Sequence, residues 1–499
     1  MKQFLSIALL CLLLLLCGCN EKTCIHADAD SNTFCDNCGD SVIIEIDVCA
    51  INDLHGKILD GSTHPGVDEL TTYLRNLQAS SKHVLLLSAG DMWQGSAESN
   101  LTRGNLMTDW MNELDFAAMT MGNHEYDWGE EPIAVNAELA EFPLLAINIY
   151  DVDTNQPVSY CQPSVMVEYD CIQIGIIGAI GDCYSSIASE KVTDVYFKTG
   201  HALTELVKAE SEKLRAEGAD FIIYILHDGL GQSSGNIPVN VDDGKLSSYY
   251  SPSLSEGYVD LVFEGHTHQQ YILVDEQGVY HLQNGGDNNG FSRVQLEINS
   301  VTGETSVTEA TLVACSEYDM LEDDPFIQEL LESYSEEIGT AFDVLATIPT
   351  SRPGDTLRQL VADLYYMAGI QRWGSEYDIV LGGGFISIRD PGYLAGGEVT
   401  YAELQGLFPF DNELVLCSIK GRDLKDRFLE SDNSSYFICC GSYGEEVMDN
   451  LDPNATYYVV VDTYSSTYAP NKLTEIERYG EEVYARDLLA EFIQAGGMS

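Results

Sequence analysis

The sequence predicts an α/β chain built from two layered domains, and three observations carry that prediction. From residue 42 to about 315, short apolar runs of strand character alternate with amphipathic helical stretches, the pattern of a layered sheet-and-helix domain. An acidic amphipathic stretch at 324–341 then separates this part from a second mixed segment running to residue 499. At 499 residues the chain is also too long for one ordinary domain.

Taken in order, the first segment is expected to serve targeting. Lys2 supplies a short basic region, and Phe4 to Leu16 is almost wholly apolar but too short for a comfortable transmembrane helix. The run closes on Leu16-Cys17-Gly18-Cys19, which resembles a bacterial lipobox with Cys19 as the lipidated residue. Residues 1–19 therefore read as a lipoprotein signal segment. The expected location is the cell envelope or cell surface, anchored to the membrane by lipid alone, with plain secretion as the alternative. Residues 20–41 read as a polar tether. Its Cys24, His26, Cys35 and Cys38 could close a small tetrahedral zinc site, or be incidental thiols on a spacer.

The first domain is expected over 42–315. Strand-like runs read at 42–48, 84–88, 116–121, 143–149, 172–180, 221–226 and 259–263, with helices at 67–80, 104–113, 131–141 and 200–217 and hairpin-like strands over 271–313. A connector, 316–341, holds one helix over 324–341: Asp324-Pro325 start it, and Ile327, Leu330, Leu331, Tyr334 and Ile338 follow at helical spacing. The second domain, 342–499, opens with a helix at 356–370, contains the strand-and-glycine segment Ile379 to Arg389, and ends on a helix near 483–494.

A net charge of −56 argues against binding a nucleic-acid polymer or anionic lipid through a basic surface. An anionic substrate would need bound dications and placed arginines to reverse the field locally. Fourteen cysteines show no disulfide framework. Cys171, Cys183 and Cys417 lie in or beside apolar runs and read as buried small hydrophobes. Adjacent Cys439 and Cys440 cannot form an ordinary bridge without strain.

Five short stretches each end an apolar run with a metal-binding residue type: Asn52-Asp53-Leu54-His55, Gly90-Asp91, Gly122-Asn123-His124-Glu125, His227-Asp228 and Gly265-His266-Thr267-His268. In open α/β sheets the carboxyl ends of strands are where sites are built. Asp53 and His55 can face one ion, the two oxygens of Asp91 can bridge two, Asn123 offers a neutral oxygen, and His227, His266 and His268 offer nitrogens. Mixed nitrogen and oxygen ligands suit two divalent transition ions, and zinc, manganese, iron and cobalt all accept them. Such a pair can bind a phosphoryl group and activate water for in-line displacement. His124 would face the substrate as general acid, oriented by Asp127 three residues on. His64, His83, His201 and His281 lack such context and read as structural or surface residues.

These motifs resemble the calcineurin-like metallophosphoesterases, and specifically the secreted 5′-nucleotidase/UDP-sugar hydrolase family. The likeness extends to the second domain, where Thr400-Tyr401-Ala402-Glu403-Leu404 precedes Phe408-Pro409-Phe410-Asp411-Asn412. It implies a metallophosphoesterase domain, a β-sandwich flanked by helices, followed by a smaller α/β 5′-nucleotidase-type domain that binds the nucleoside and swings it to the metals. By matching position, Asp53, His55, Asp91, Asn123, His227, His266 and His268 would hold the metals, and His124 with Asp127 would form the catalytic pair. Arg358 and Arg389 would contact phosphate or carboxylate, and Phe410 would stack on a base near Asn412.

The chain departs from that family late in the second domain. Where the family carries a Gly-Gly-Asp-Gly-aromatic loop, this sequence has Tyr464-Ser465-Ser466-Thr467-Tyr468-Ala469-Pro470, in which Tyr468 could replace the stacking aromatic. The resemblance implies hydrolysis of extracellular nucleotides to phosphate and nucleoside. Its alternative is a phosphodiesterase or pyrophosphatase acting on 2′,3′-cyclic nucleotides, UDP-sugars or dinucleotides. A third reading is a surface lipoprotein that captures ligands without turnover. The sequence sets no oligomeric state.

Overall fold

A computed structural model of the chain describes residues 27–29, 31–34, 36–37, 41–60, 65–229, 258–275, 277–389, 391–425, 447, 451–468, 472–480 and 483–498. Cys19, Cys24, His26, Cys35, Cys38, His64, Cys439 and Cys440 lie outside them, as does the side chain of Tyr468.

The two large sheets of the first domain use strands β1 (Ile43–Ile51), β2 (Val84–Ser88), β3 (Ala118–Thr120), β4 (Leu144–Leu145), β5 (Ser164–Tyr169), β6 (Ile172–Ile180), β7 (Phe221–His227), β8 (Leu261–Glu264), β9 (Tyr271–Val274), β10 (Tyr280–Gln283), β11 (Gly290–Asn299) and β12 (Thr305–Ala314). One six-stranded sheet has the order β12-β11-β1-β2-β3-β4 and the other β9-β10-β8-β7-β6-β5. Within each, the central strands are parallel: β1 with β2, β2 with β3, β6 with β7 and β7 with β8.

Side-chain alternation along the strands explains the layering. Ile46, Val48, Leu85 and Leu87 point into the space between the sheets and meet Ile174, Ile176, Ile223, Ile225 and Phe263. The intervening Cys49, Ile51 and Leu86 face the opposite way, onto Leu70 and Leu74 of α1 (Asp68–Ser80) and Leu106 and Trp110 of α2 (Asn105–Glu113). On the outer face of the second sheet, Ile222, Tyr224 and Val262 pack against Leu203, Val207 and Leu214 of α3 (His201–Glu217). Both sheets are thus covered on two sides, which is why their central strands read as continuous apolar runs.

The connector differs from its sequence expectation. It forms two short helices, α4 (Pro325–Ser333) and α5 (Ser335–Ile338), with a break at Tyr334, whose hydroxyl donates to Asp109 at 2.7 Å. The second domain sets α6 (Gly354–Trp373) and α9 (Ala485–Gln494) beside a four-stranded sheet of β13 (Ile379–Gly382), β14 (Leu414–Lys420), β15 (Thr456–Asp462) and β16 (Thr474–Arg478), ordered β13-β15-β14-β16. Helices α7 (Tyr401–Leu407) and α8 (Thr463–Tyr468) also belong to it, with two two-stranded pairings, Val344–Ile348 with Gly397–Thr400 and Arg352–Pro353 with Tyr393–Leu394. Cys183 and Cys417 are buried as expected, but Cys171 is exposed, because it falls in the turn joining β5 to β6.

Candidate active site

Five loops bring the motif residues together at one end of the sandwich: those after β1, β2 and β3 from one sheet, and those after β7 and β8 from the other. Their backbones bend sharply. Asp53, His55, Asp91, His266 and His268 all have φ between 51° and 72°, the left-handed region that non-glycine residues occupy at a cost of about 1–3 kcal/mol each. Close approach also requires glycine: a Cβ on Gly122 would sit 2.2 Å from Asp91 Oδ1, and one on Gly90 would sit 2.6 Å from His227 Nδ1.

Hydrogen bonds to backbone carbonyls set how the ring nitrogens of the cluster are turned. His227 Nδ1 is 2.6 Å from the carbonyl oxygen of Ala89 and donates to it, which turns its Nε2 toward the cluster. That Nε2 faces Asn123 Oδ1 at 3.2 Å and Asp91 Oδ2 at 3.1 Å. His55 Nδ1 donates to the Gln94 carbonyl at 2.9 Å, so its Nε2 faces His268 Nε2 at 3.2 Å as a lone pair. A divalent cation placed among these ring nitrogens and oxygens would accept a lone pair from each of them. Ligand atoms of Asp53, His55 and His268 lie within 4.8 Å of one another, as do those of Asp53, Asp91 and His227. Asp53 belongs to both groups, so two adjacent ions fit the donor set.

The buried charges respond accordingly. Burial would raise Asp91, but His227 and the neighbouring histidines outweigh it and hold the carboxyl well below the usual range. Burial lowers His55 to about 3, helped by the nearby His268 and His124. His227 goes the other way: burial opposes its charge, yet Asp91 carries it up to about 10.

His124 stands beside this cluster. Its Nδ1 pairs with Asp127 Oδ2 at 2.8 Å, and its ring lies edge-on to His55 at 5.2 Å. Burial works against its charged form, but Asp127 and Asp91 more than compensate, so its pKa is raised. The second domain covers the other side. Arg389 Nη2 is 3.2 Å from His124 Nε2, the Phe410 ring stacks over the imidazole with centroids 5.9 Å apart, and the Arg389 guanidinium lies 5.1 Å above Phe410.

Between the domains lies a cavity of about 730 Å3. It runs from Asn123, His124, Asp127 and His266 to Arg358, Arg389, Phe410 and Asn412. Of the residues expected from sequence, Asn123, His266, His124, Asp127, Arg358, Arg389, Phe410 and Asn412 line it, Asp53, His55, Asp91, His227 and His268 are not among its lining, and the Tyr468 side chain lies outside the described residues. Tyr464, at the start of α8, also lines the cavity, edge-on to Phe385 at 6.3 Å. Arg358 is positioned by Asp355 at 2.8 Å and by the carbonyl of Ile386 at 3.2 Å.

Three further residues were not assigned from sequence. Glu125 is fully buried and accepts from the backbone N–H groups of Asp91, Met92, Trp93 and Gly122, tying two ligand loops to one carboxylate. Its place inside the third motif was the only signal. Asp462, at the end of β15, is a buried carboxylate in the cavity wall, held by the Ser465 N–H at 2.7 Å and pushed by burial to about 6. Nothing in the sequence marked it. Cys183 sits with its thiol within 4.8 Å of ring nitrogens of His227 and His266, and donates to the His227 carbonyl at 2.9 Å.

Comparison with known proteins agrees with this geometry. Residues 46–270 match the family model of the calcineurin-like phosphoesterases, and residues 338–444 match that of the 5′-nucleotidase C-terminal domain. Protein UshA of Yersinia enterocolitica is 24% identical over 395 residues, covering 70% of this chain and 68% of that protein. Endonuclease YhcR of Bacillus subtilis is 26% identical over 418 residues, 77% of this chain but 32% of that longer protein. The crystal structure of a 5′-nucleotidase precursor from Thermus thermophilus superposes with a TM-score of 0.66 at 18% identity, covering 91% of this chain and 96% of that one.

Proposed function

We propose that this chain, which belongs to the family joining a calcineurin-like phosphoesterase to a 5′-nucleotidase C-terminal domain, hydrolyses phosphate esters of extracellular nucleotides at a two-metal centre. The observation that carries the reading is His124, held between Asp127 on one side and Arg389 and Phe410 on the other, directly beside the converging ligands.

In this reading Asp53, His55, Asp91, Asn123, His227, His266 and His268 hold the ions, which can be zinc, manganese, iron or cobalt. Bound divalent ions supply Lewis acidity and a deprotonated water. The chain's own residues do the rest. Asp127 keeps the proton on His124 Nδ1, so that Nε2 is the atom that gives a proton to the leaving oxygen. Arg389 and Arg358 bring fixed positive charge to a protein of net charge −56, where an anionic substrate otherwise meets repulsion. Phe410 and Tyr464 offer aromatic faces to a base, with Asn412 and Asp462 as polar partners in the same wall. The domain limits 42–315 and 342–499, and a lipid anchor at Cys19, belong to the same proposal.

Phosphate release by the metal-reconstituted mature protein tests it. The panel is AMP, ATP, 2′,3′-cyclic AMP, UDP-glucose, NAD and a generic aryl phosphate, each with and without chelator, with chromatography for products that retain phosphate. Chelator-sensitive release from AMP or ATP is the expected result. Turnover confined to cyclic nucleotides, UDP-glucose or NAD would transfer the assignment to a phosphodiesterase or pyrophosphatase, and no turnover of any of them to ligand capture.

A further inference from the structure

We propose a calcium site, separate from the catalytic centre, formed by the carboxylates of Asp60, Asp68 and Glu69. The three sit where the loop following β1 meets the N-terminus of α1, and their oxygens all lie within 4.8 Å of one another. That span fits one shared ion, because two oxygens each about 2.4 Å from a calcium ion are separated by at most about 4.8 Å.

Acidic residues in a first helical turn are common, since the helix dipole favours them there. That accounts for Asp68 and Glu69 taken singly. It does not account for Asp60, which comes from outside the helix, or for the state of Glu69. Glu69 is 8% exposed, and its Oε2 is shut off from solvent with no hydrogen-bond partner. A buried, unpaired carboxylate oxygen is destabilising unless a cation or a proton meets it. No ion pair among the described residues reaches any of the three carboxylates. Burial, then Asp68 and Asp60, push Glu69 up to about 8, the direction expected where negative charge gathers without a counter-ion.

The donor set selects the ion. All three ligands are hard carboxylate oxygens with neither nitrogen nor sulfur, which favours calcium over the transition ions suited to the catalytic cluster. The remaining bonds of Asp60 and Asp68 are to backbone N–H groups, Gly66 at 2.8 Å and Glu69 at 3.1 Å, and these leave oxygen lone pairs free.

The site is also tied to the centre. Asn288 Nδ2 donates to the carbonyls of Pro65 and Gly66, and the neighbouring Asp287 N–H donates to the Asp53 carbonyl at 2.8 Å. A cation that fixes Asp60, which accepts from the Gly66 N–H, therefore braces the residues that Asn288 and Asp287 link to Asp53.

The test is a calorimetric titration of the manganese-loaded, full-length mature protein with calcium chloride, in parallel with Tm at 0 and 10 mM calcium. One calcium per chain is expected, with a dissociation constant of about 10−4 to 10−3 M, and a higher Tm. Asp60→Asn should weaken that binding at least tenfold and abolish the Tm rise, leaving manganese content and calcium-free turnover unchanged. Asp60 is exposed, so this variant is expected to fold; Glu69→Gln gives a second reading of the same loss. Absence of calcium binding to the wild type would overturn the proposal and leave a proton shared by Glu69 and Asp68. Equal calcium affinity in wild type and Asp60→Asn would overturn it as well.

Discussion

Glu125→Gln is the perturbation that most directly probes how the site is braced. Oε2 of Glu125 accepts from the N–H of Asp91 at 2.9 Å and of Gly122 at 2.7 Å, and Oε1 accepts from Met92 at 2.9 Å and Trp93 at 3.3 Å. A glutamine can satisfy only one of these pairs, and its NH2 group must then face two N–H donors. Each buried donor left unpaired costs about 1–3 kcal/mol, so the loss is about 2–6 kcal/mol. An opposing effect exists, because burial and then Asp91 push Glu125 up to about 7, and removing its charge relieves that repulsion. Cations bound at Asp91 would cancel the repulsion themselves. The penalty should therefore be larger in metal-loaded protein than in chelated protein, and metal affinity should fall about 10- to 100-fold as the loops of Asp91 and Asn123 loosen. Urea unfolding of both forms, with metal titration of the chelated form, reads each quantity. A variant as stable as wild type when loaded, with unchanged metal affinity, would refute the reasoning and show that charge relief dominates.

Three further outcomes are expected. His124→Ala should lower kcat by about 10²- to 10⁴-fold with bound metal unchanged by elemental analysis; unchanged turnover would remove His124 from the proton transfer. Tyr464→Ala should raise KM for AMP about 5- to 100-fold, the equivalent of about 1–3 kcal/mol of stacking, while turnover of an aryl phosphate stays within twofold. Asp462 has a folded pKa of about 6, above its ordinary 3.8, so it binds more protons folded than unfolded between those values and wild-type stability is lost as pH rises through that window. Asp462→Asn should accordingly raise Tm at pH 7.5 relative to wild type, by up to about 3 kcal/mol of stability, and the gain should vanish by pH 4. A pH-independent difference would show that the carboxylate is not titrating there.

What the sequence made legible was whatever depends on residue type at a strand end. Asp53, Asp91, His227 and His266 could be placed because an apolar run fixes where a strand stops, and the next residue is then committed to one end of the sheet. Glu125 was visible as a letter in a motif but not as a brace, since its partners are backbone N–H groups, which a sequence does not distinguish. Asp462 and Tyr464 were missed for a related reason: only the turn from β15 into α8 aims them at the cavity, and nothing in Val461-Asp462-Thr463-Tyr464 encodes that direction. The connector misled because its apolar spacing is continuous through Tyr334, whereas its path is set by the distant Asp109.

The boundary between the domains runs along His124, whose imidazole is paired with Asp127 of its own domain and roofed by Phe410 from the other. Asp411 marks the same border, bridging to Arg103 across it and to Arg486 on its own side. Evolution can thus exchange the roof and leave the floor alone. A different second domain set on the same first domain would keep the His227, Asp91 and Asp53 cluster and replace most of the cavity wall. Among the described residues, a newcomer would have to match Arg103 with an acid, Glu190 with a cation and His124 with a flat ring and a guanidinium.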